Sequence, residues 1–216
     1  MSQAPAPRRF DAVIFDNDGL LLDTEQAWTA AEEILFARRG REFTLEHKRA
    51  MLGTAGPIAH ATLARLLELP DDGPALFSEL QGLALEQIAR SATPRPGAID
   101  LLARLRASKM PLGLASNSTR EFVEQALATA GIPEMTFDAS CAGDEVAHPK
   151  PDPEIYLTVC AALGVAPADT AVLEDSPTGV AAGIAAGCFV IGIPSVEGVV
   201  LDGASMTAPS LALAPL

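Results

Sequence analysis

The sequence predicts an α/β protein in which a doubly wound, mainly parallel sheet carries a helical insertion after its first strand. Three observations predict this class. A short apolar run at residues 12–15 ends in polar residues, residues 24–92 show helical patterns with little strand signal, and strand and helix patterns then alternate. Strands that alternate with helices are joined by right-handed crossovers and pair in parallel. We expect a core domain of residues 1–23 and 93–216 and a cap domain of residues 24–92.

Local signals predict the first strand and the cap helices. Residues 12–15 form a short apolar run followed at once by Asp and Gly residues, which is typical of a buried strand that ends in a loop. Three cap helices are predicted over residues 24–40, 57–67 and 76–88. Thr24 suits the N-cap of the first helix, and the second begins with a proline in its first turn.

The rest of the chain alternates between helix and strand patterns. The strands are predicted at residues 111–115, 136–141, 171–173 and 188–193, and the helices at residues 98–106, 121–130, 153–163 and between Ser176 and Gly187. With the first strand, they make a five-stranded core. The tail at residues 206–216 is rich in Ala, Pro and Leu and is assigned to no element.

The charge and the cysteine content restrict the possible partners. The 216 residues include 15 Lys and Arg against 28 Asp and Glu, a formal charge of −13. This balance argues against binding to nucleic acid or to an anionic membrane through the surface field, but it permits a small anionic substrate in a local basic pocket. Three cysteines without metal-type spacing (Cys141, Cys160 and Cys188) are expected to be buried, reduced thiols of a cytoplasmic protein. No apolar run reaches the ~18 residues of a membrane span, no secretory signal is apparent, and we expect a monomer.

Polar residues follow the first four predicted strands at their carboxyl ends. In an open parallel sheet these ends share one edge, where ligands bind. The candidate site residues at this edge are Asp16, Asp18, Ser116, Asn117, Lys150, Glu174 and Asp175. These residues are distant in sequence, so their predicted convergence at one edge is stronger evidence for a functional site than any single motif.

These residue types suit a phosphoryl group. Clustered carboxylates repel one another, and a hard divalent cation such as Mg²⁺ relieves that repulsion. The metal and Lys150 would neutralise phosphoryl oxygens. Asp16 could then attack phosphorus to form an aspartyl-phosphate, while Asp18 protonates the leaving oxygen and later activates water. Ser116 and backbone N–H groups around Asn117 could bind phosphate oxygens.

Four motifs carry a resemblance to a known family. They are FDNDGLLLDTE at 15–25, LASNST at 114–119, HPKPDPEIY at 148–156 and LEDSPTGVAAGIAAG at 173–187. Their order and spacing resemble those of the haloacid dehalogenase (HAD) superfamily, and the acidic pair in the fourth is most similar to the β-phosphoglucomutase-like branch. The resemblance implies a Rossmann-like, HAD-like core with a small α-helical cap.

The resemblance also implies roles for individual residues. Asp16 would be the nucleophile and Asp18 the general acid and base. Mg²⁺ would be held by the Asp16 carboxylate, the Asp18 backbone carbonyl and Asp175, with Glu174 near the metal. Ser116 and Lys150 would bind the phosphoryl group.

Two departures from the branch favour a phosphatase over a mutase. β-Phosphoglucomutases carry a cap arginine after an L-x-G-type turn, whereas residues 52–57 contain no arginine and Gly56 takes its place. These mutases also have a histidine where Trp28 falls here. The expected substrate is a small phosphate monoester, either a sugar phosphate or a nucleotide or pentose phosphate, since the motifs are also similar to those of pseudouridine-5′-phosphatases. A sugar-phosphate mutase and a non-catalytic phosphate-binding or regulatory protein remain the alternatives.

Several cap residues are left outside this site. Glu32 and Glu33 are expected on the wet face of a helix. Lys48 is the only lysine of the cap and matches no lysine of the family's phosphonate hydrolases. Trp28 belongs either to the cap core or to a lid over the pocket.

Overall fold

A computed structural model of the chain describes residues 9–52, 54, 56–196 and 198–216. Within these residues the strands are, in chain order, β1 (Ala12–Phe15), β2 (Leu22–Asp23), β3 (Thr93–Pro94), β4 (Leu112–Ala115), β5 (Ala139–Cys141), β6 (Thr170–Glu174), β7 (Phe189–Gly192) and β8 (Met206–Thr207). The α-helices are α1 (Glu25–Ala37), α2 (Leu45–Met51), α3 (Gly56–Leu67), α4 (Gly73–Ile88), α5 (Ala98–Ala107), α6 (Arg120–Thr129), α7 (Glu154–Leu163) and α8 (Pro177–Ala185). None of the helices in the described part of the chain is long and apolar enough to cross a membrane.

Six strands form one parallel sheet in the order β5-β4-β1-β6-β7-β8. β1 lies between β4 and β6, with Val13 paired to Leu112 on one side and to Ala171 on the other. The α/β fold is therefore confirmed. The prediction of five strands was wrong by one, because the two-residue strand β8 comes from the tail and is too short for any periodic pattern to reveal it.

Helices cover both faces of the sheet, as the alternation along β1 requires. Val13 and Phe15 belong to one apolar cluster, which includes Leu101 of α5 and Phe122 of α6. Ile14 points to the other face and joins a second cluster that includes side chains of α7 and α8. Successive side chains of β1 point to opposite faces of the sheet, and the core is therefore divided into two layers.

The structure corrects two element predictions. Helix α2 was missed, because four of its seven residues are polar or charged and it carries no apolar stripe. Its start is fixed instead by a reciprocal N-cap, in which the His47 N–H donates to Thr44 Oγ1 and the Thr44 N–H donates to His47 Nδ1. The strand predicted at 136–141 begins only at Ala139, since residues 134–136 form a 3₁₀ turn.

The chain passes to the four helices α1–α4 and returns through a two-stranded antiparallel ladder. Leu22 of β2 pairs with Pro94 of β3, and Asp23 pairs with Thr93. The predicted domain boundaries fall at this ladder. The division into core and cap domains itself stays a prediction, and residues 1–8 of the predicted core domain lie outside the described residues.

Helices α1–α4, here called the cap helices, pack against the body of the protein. Their apolar side chains belong to the same buried cluster as Val13 and Phe15 of the sheet. Trp28 of α1 also stacks against Phe122 of α6, with ring centroids 4.9 Å apart. The cap helices therefore stand close to the carboxyl end of the sheet, where the polar residues gather.

Candidate active site

The carboxyl ends of β1, β4 and β6 bring together residues that are far apart in sequence. Lys150 Nζ donates hydrogen bonds to Asp16 Oδ1 (2.6 Å) and to Glu174 Oε1 (2.7 Å), and Ser116 Oγ donates to Asp18 Oδ2 (2.9 Å). Every candidate site residue named from the sequence lies at this edge or in the loops beside it. The structure shows that these residues are close together, and their catalytic roles stay predictions.

Lys150 is the central cation of the site. Its side chain is 2% exposed, and its third donor reaches the Ala115 carbonyl at 2.9 Å. Burial disfavours the charged form, yet the carboxylates of Asp16 and Glu174 outweigh burial and raise the pKa of Lys150 above its usual value. The ammonium group therefore stays charged with all three N–H groups directed at acceptors.

Asn117 fixes the loop that carries Lys150. Its Oδ1 accepts from the Lys150 backbone N–H (2.8 Å), and its Nδ2 donates to the Lys150 carbonyl (3.1 Å). The Asn117 side chain is thus engaged with the Lys150 backbone. The predicted phosphate contact of this segment, which concerns backbone N–H groups, stays a prediction.

Glu174 accepts hydrogen bonds at both carboxylate oxygens. Oε1 accepts from Lys150 Nζ and from the buried hydroxyl of Tyr156 (2.7 Å). Oε2 accepts from the Asp175 N–H and from both the N–H and the hydroxyl of Ser176, at 3.0–3.1 Å. A carboxylate offers about four acceptor positions, so these five donors occupy it fully. Glu174 is therefore built to hold Lys150 and the start of α8 in place.

Three buried carboxylates form an acidic cluster that could hold a metal ion. Ligand oxygens of Asp16, Glu174 and Asp175 lie within 4.8 Å of one another. Burial is the largest cause that raises the pKa of Asp16 and of Asp175 well above the usual range, and repulsion from the neighbouring carboxylates raises both further. The Ser195 hydroxyl donates a short hydrogen bond to Asp175 Oδ2 and partly opposes this. A dication would remove the repulsion, so the donor set fits a hard metal ion.

Asp18 is oriented by two hydroxyl groups. Its Oδ2 accepts from Ser116 Oγ and from Ser118 Oγ, the latter at 2.8 Å. The Ser118 N–H in turn donates to Ser116 Oγ at 3.0 Å. The other oxygen, Oδ1, is buried and has no hydrogen-bond partner among the described residues. This open acceptor is suited to exchange a proton with a bound ligand.

Two glycines allow the acidic residues to approach the backbone. A Cβ at Gly179, in the first turn of α8, would overlap the Glu174 carboxylate. Gly19 has a φ of +81°, and a Cβ there would overlap Asp175 Oδ2. Any side chain at these positions would displace a carboxylate of the cluster.

The structure adds two partners that sequence reasoning did not single out. Tyr156 contacts Glu174 and lies within the third motif, inside the helix predicted at residues 153–163. Ser195 contacts Asp175 and follows β7, so its place beyond a strand end was the signal that could have found it. Both are positioning residues, because each acts on a carboxylate of the cluster.

A pocket lies between the acidic cluster and the cap helices. Its core side includes Asp16, Asp18 and Asp175, and its cap side includes Trp28, Phe77, Glu25, Glu32 and Lys48. Trp28 therefore lines the pocket as well as stacking on Phe122. Gly53 and Ala55 of the predicted turn at 52–57 lie outside the described residues.

The prediction that Glu32 lies on a wet helix face was wrong. Its side chain is 4% exposed, and Oε2 accepts a hydrogen bond from Lys48 Nζ at 3.1 Å. Glu33, its neighbour on α1, is exposed as predicted. The reversal comes from α2, which the sequence pattern did not reveal and which supplies the ammonium group.

Comparison with known proteins agrees with this geometry. The family model described as haloacid dehalogenase-like hydrolase matches residues 10–187. The chain is 35% identical over 194 residues to a Drosophila melanogaster protein named probable pseudouridine-5′-phosphatase, covering 87% of this chain and 83% of that one. It is 31% identical over 189 residues to the validoxylamine A 7′-phosphate phosphatase of Streptomyces hygroscopicus subsp. limoneus, covering 87% of each.

A solved structure gives the same result. CbbY from Rhodobacter sphaeroides, crystallised in complex with phosphate, superposes with a TM-score of 0.81 at 29% identity, covering 94% of this chain and 95% of that one. The family model spans all four motifs on which the resemblance depends, and the relatives extend over both the sheet and the cap helices. The chain belongs to the haloacid dehalogenase-like hydrolases.

Proposed function

We propose that this hydrolase is a Mg²⁺-dependent phosphatase that cleaves a small phosphate monoester, a sugar phosphate or a nucleotide or pentose phosphate. The observation that carries the proposal is the hydrogen bond from Lys150 Nζ to Asp16 Oδ1, formed beside Asp18 and within the acidic cluster. Together they support a nucleophile, an acid and base, and a cation at one edge of the sheet. Relatives named as phosphatases support the same chemistry.

Asp16 is the proposed nucleophile. Lys150 donates a hydrogen bond to Oδ1 and so holds the carboxylate, and Asp16 lines the pocket. A carboxylate oxygen attacks phosphorus, a P–O bond to Asp16 forms, and the P–O bond to the alcohol breaks. Ser116 and Lys150 would bind the oxygens of the transferred group.

Asp18 is the proposed general acid and base. It gives its proton to the departing alkoxide, so the alcohol leaves neutral and Asp18 becomes a carboxylate. It then takes a proton from water, whose oxygen attacks the aspartyl-phosphate, releases inorganic phosphate and restores Asp16. The Ser118 hydroxyl keeps Asp18 pointed at the reacting oxygen during both steps, so that the single Ser116 hydroxyl proton can turn to the phosphoryl group.

The residues present fit a magnesium ion. The carboxylates of Asp16 and Asp175 and the backbone carbonyl of Asp18 would hold it, with Glu174 beside them holding Lys150. Bound there, Mg²⁺ supplies positive charge that screens the carboxylates and the phosphoryl oxygens. The raised pKa values of Asp16 and Asp175 support this assignment, because burial first and carboxylate repulsion second disfavour the charged forms, which a dication would stabilise.

The pocket favours water over a second sugar phosphate as the acceptor. No arginine is among the described residues that line it. Gly56, at the position where the mutases carry an arginine, lies against Pro149 beside Lys150. A mutase needs a cation there to hold the second phosphate of a bisphosphate, so hydrolysis is the proposed outcome.

The test is phosphate release from a panel of sugar, nucleotide and short-chain phosphates, with Mg²⁺ and with EDTA. We expect release that requires Mg²⁺ and that Asp16→Asn abolishes, while the exposed control Asp11→Asn keeps it. Isomerised product without free phosphate would favour the mutase. Absence of any turnover across the panel would favour the non-catalytic alternative, and full activity of Asp16→Asn would refute the nucleophile.

We also propose that the protein works as a cytoplasmic monomer. Cys141, Cys160 and Cys188 are buried free thiols, which supports a reducing compartment. Light scattering after size-exclusion chromatography tests the monomer, and a dimer mass would contradict it.

A further inference from the structure

Three charged side chains form a buried group on the cap side of the pocket, opposite the acidic cluster. Glu25 and Glu32 are seven residues apart on α1 and therefore share one face of that helix. Lys48 of α2 lies between them, with Nζ 2.8 Å from Glu25 Oε2 and 3.1 Å from Glu32 Oε2. We call these three residues the cap triad.

Stability alone does not account for the cap triad. The side chains of Glu32 and Lys48 are only 4% and 11% exposed, and the desolvation of buried ions is rarely regained in full from their attraction. Two carboxylates also share a single ammonium group, which leaves an excess of negative charge when both are ionised. A group of this kind is better explained by what it does in the pocket that it lines.

The cap triad leaves hydrogen-bonding positions for a ligand. Glu25 Oε2 is near Lys48 Nζ, but it is buried without a hydrogen bond of good geometry from any described residue. The ammonium group has three N–H donors, and among the described residues one of them donates a hydrogen bond, to Glu32 Oε2. A hydroxyl group both donates and accepts, so it can satisfy the carboxylate and the ammonium together.

The same pocket has an apolar wall. Trp28, Phe77 and Leu80 line it next to the cap triad. A sugar or polyol has hydroxyl groups along its edge and C–H groups on its face, which matches one polar and one apolar wall. At pH 8, above the pKa of Glu32, a second phosphate would instead meet two carboxylates against one ammonium, which disfavours it.

We infer that Glu25, Glu32 and Lys48 bind the hydroxyl groups of the leaving alcohol, so that the substrate is the monophosphate of a neutral, hydroxyl-rich sugar or polyol. This inference rests on the proposed phosphatase function and extends it to the substrate class. It makes the cap triad the specificity-determining group, while Asp16 and Asp18 carry out the reaction.

The test compares kcat/KM at pH 8 for four esters: ribose 5-phosphate, propyl phosphate, ribulose 1,5-bisphosphate and p-nitrophenyl phosphate. The wild type is expected to prefer ribose 5-phosphate to propyl phosphate, and also to the bisphosphate, by at least roughly tenfold. Glu32→Gln should reduce both preferences, whereas Glu33→Gln, the same change one residue along α1 on an exposed side chain, should leave both ratios unchanged.

Glu25→Gln is the second variant, in case Glu32→Gln folds poorly. Its side chain is more exposed than that of Glu32, at 17% against 4%, so the fold should tolerate the change. Wild-type ratios in both variants would overturn the inference. Release from p-nitrophenyl phosphate with equal kcat/KM for ribose and propyl phosphates would overturn it and leave the phosphatase standing. No release from any of the four esters would overturn both.

Discussion

Glu32 should make the stability of the protein depend on pH in a way that a single substitution removes. Burial raises the pKa of this carboxyl from its ordinary value of 4.5 to about 7, Lys48 opposes the rise, and Glu25 adds to it. Between these two values the native state keeps a proton that the unfolded chain has already released. The free energy of unfolding therefore includes a contribution that is complete below pH 4.5 and is lost as the pH rises through 7.

The size of this effect follows from the two pKa values. Each pH unit in the window costs about 1.36 kcal/mol, so the wild type should lose about 2.5 kcal/mol between pH 5 and pH 8 from this group. Lys48 adds no slope there, because its own pKa is raised by Glu25 and Glu32 and it stays charged. Glu32→Gln removes the titrating group and leaves the other titrating groups in place.

The assay is urea unfolding of the wild type and Glu32→Gln at pH 5, 6, 7 and 8, with a chelator present throughout. The difference between the two free energies of unfolding, variant minus wild type, should rise by about 2.5 kcal/mol from pH 5 to pH 8. Glu33→Gln, which changes an exposed carboxyl, should track the wild type at every pH. A difference between wild type and Glu32→Gln that is constant with pH would refute the reasoning.

Three further results are expected from the acidic cluster. Mg²⁺ should raise Tm and EDTA should reverse the rise, because the ion binds the folded cluster and not the unfolded chain; a Tm insensitive to millimolar Mg²⁺ would contradict the metal assignment. Tyr156→Phe should cost about 1–2 kcal/mol in chemical unfolding, since Glu174 loses a buried hydrogen bond; an unchanged midpoint would argue against this contact. Gly179→Ala should destabilise by about 1–3 kcal/mol, as its Cβ meets the Glu174 carboxylate. Its control is Gly82→Ala, where a Cβ meets nothing within 4 Å and the helix should be stabilised; equal effects of the two changes would refute the steric argument.

The edge that carries the site could be predicted from the sequence because topology alone determines it. Parallel strands present their carboxyl ends at one edge, so finding the strands was enough to bring Asp16, Ser116, Lys150 and Asp175 together. Neither the distances between these side chains nor the role of each residue followed from that step. Glu174 shows the limit, since its five hydrogen-bond donors come from three separate segments of the chain.

The cap helices were harder to predict for a physical reason. Helix α2 lacks an apolar stripe, and what holds Lys48 in place is a pair of carboxylates on another helix. The pattern of α1 by itself put Glu32 beside Glu33 on a solvated face. A charge that is buried only because its partner lies on a different helix leaves no periodic signal in either segment.

The paired strands β2 and β3 have a consequence for how this enzyme can diversify. The chain leaves this ladder at Asp23 and returns to it at Thr93, and these two residues are paired with each other. A segment whose two ends already adjoin can be lengthened, shortened or replaced without opening the sheet behind it. Exchange of residues 24–92 between related enzymes should therefore transfer substrate preference from one enzyme to the other. The positions of Asp16 and Asp18 should not change.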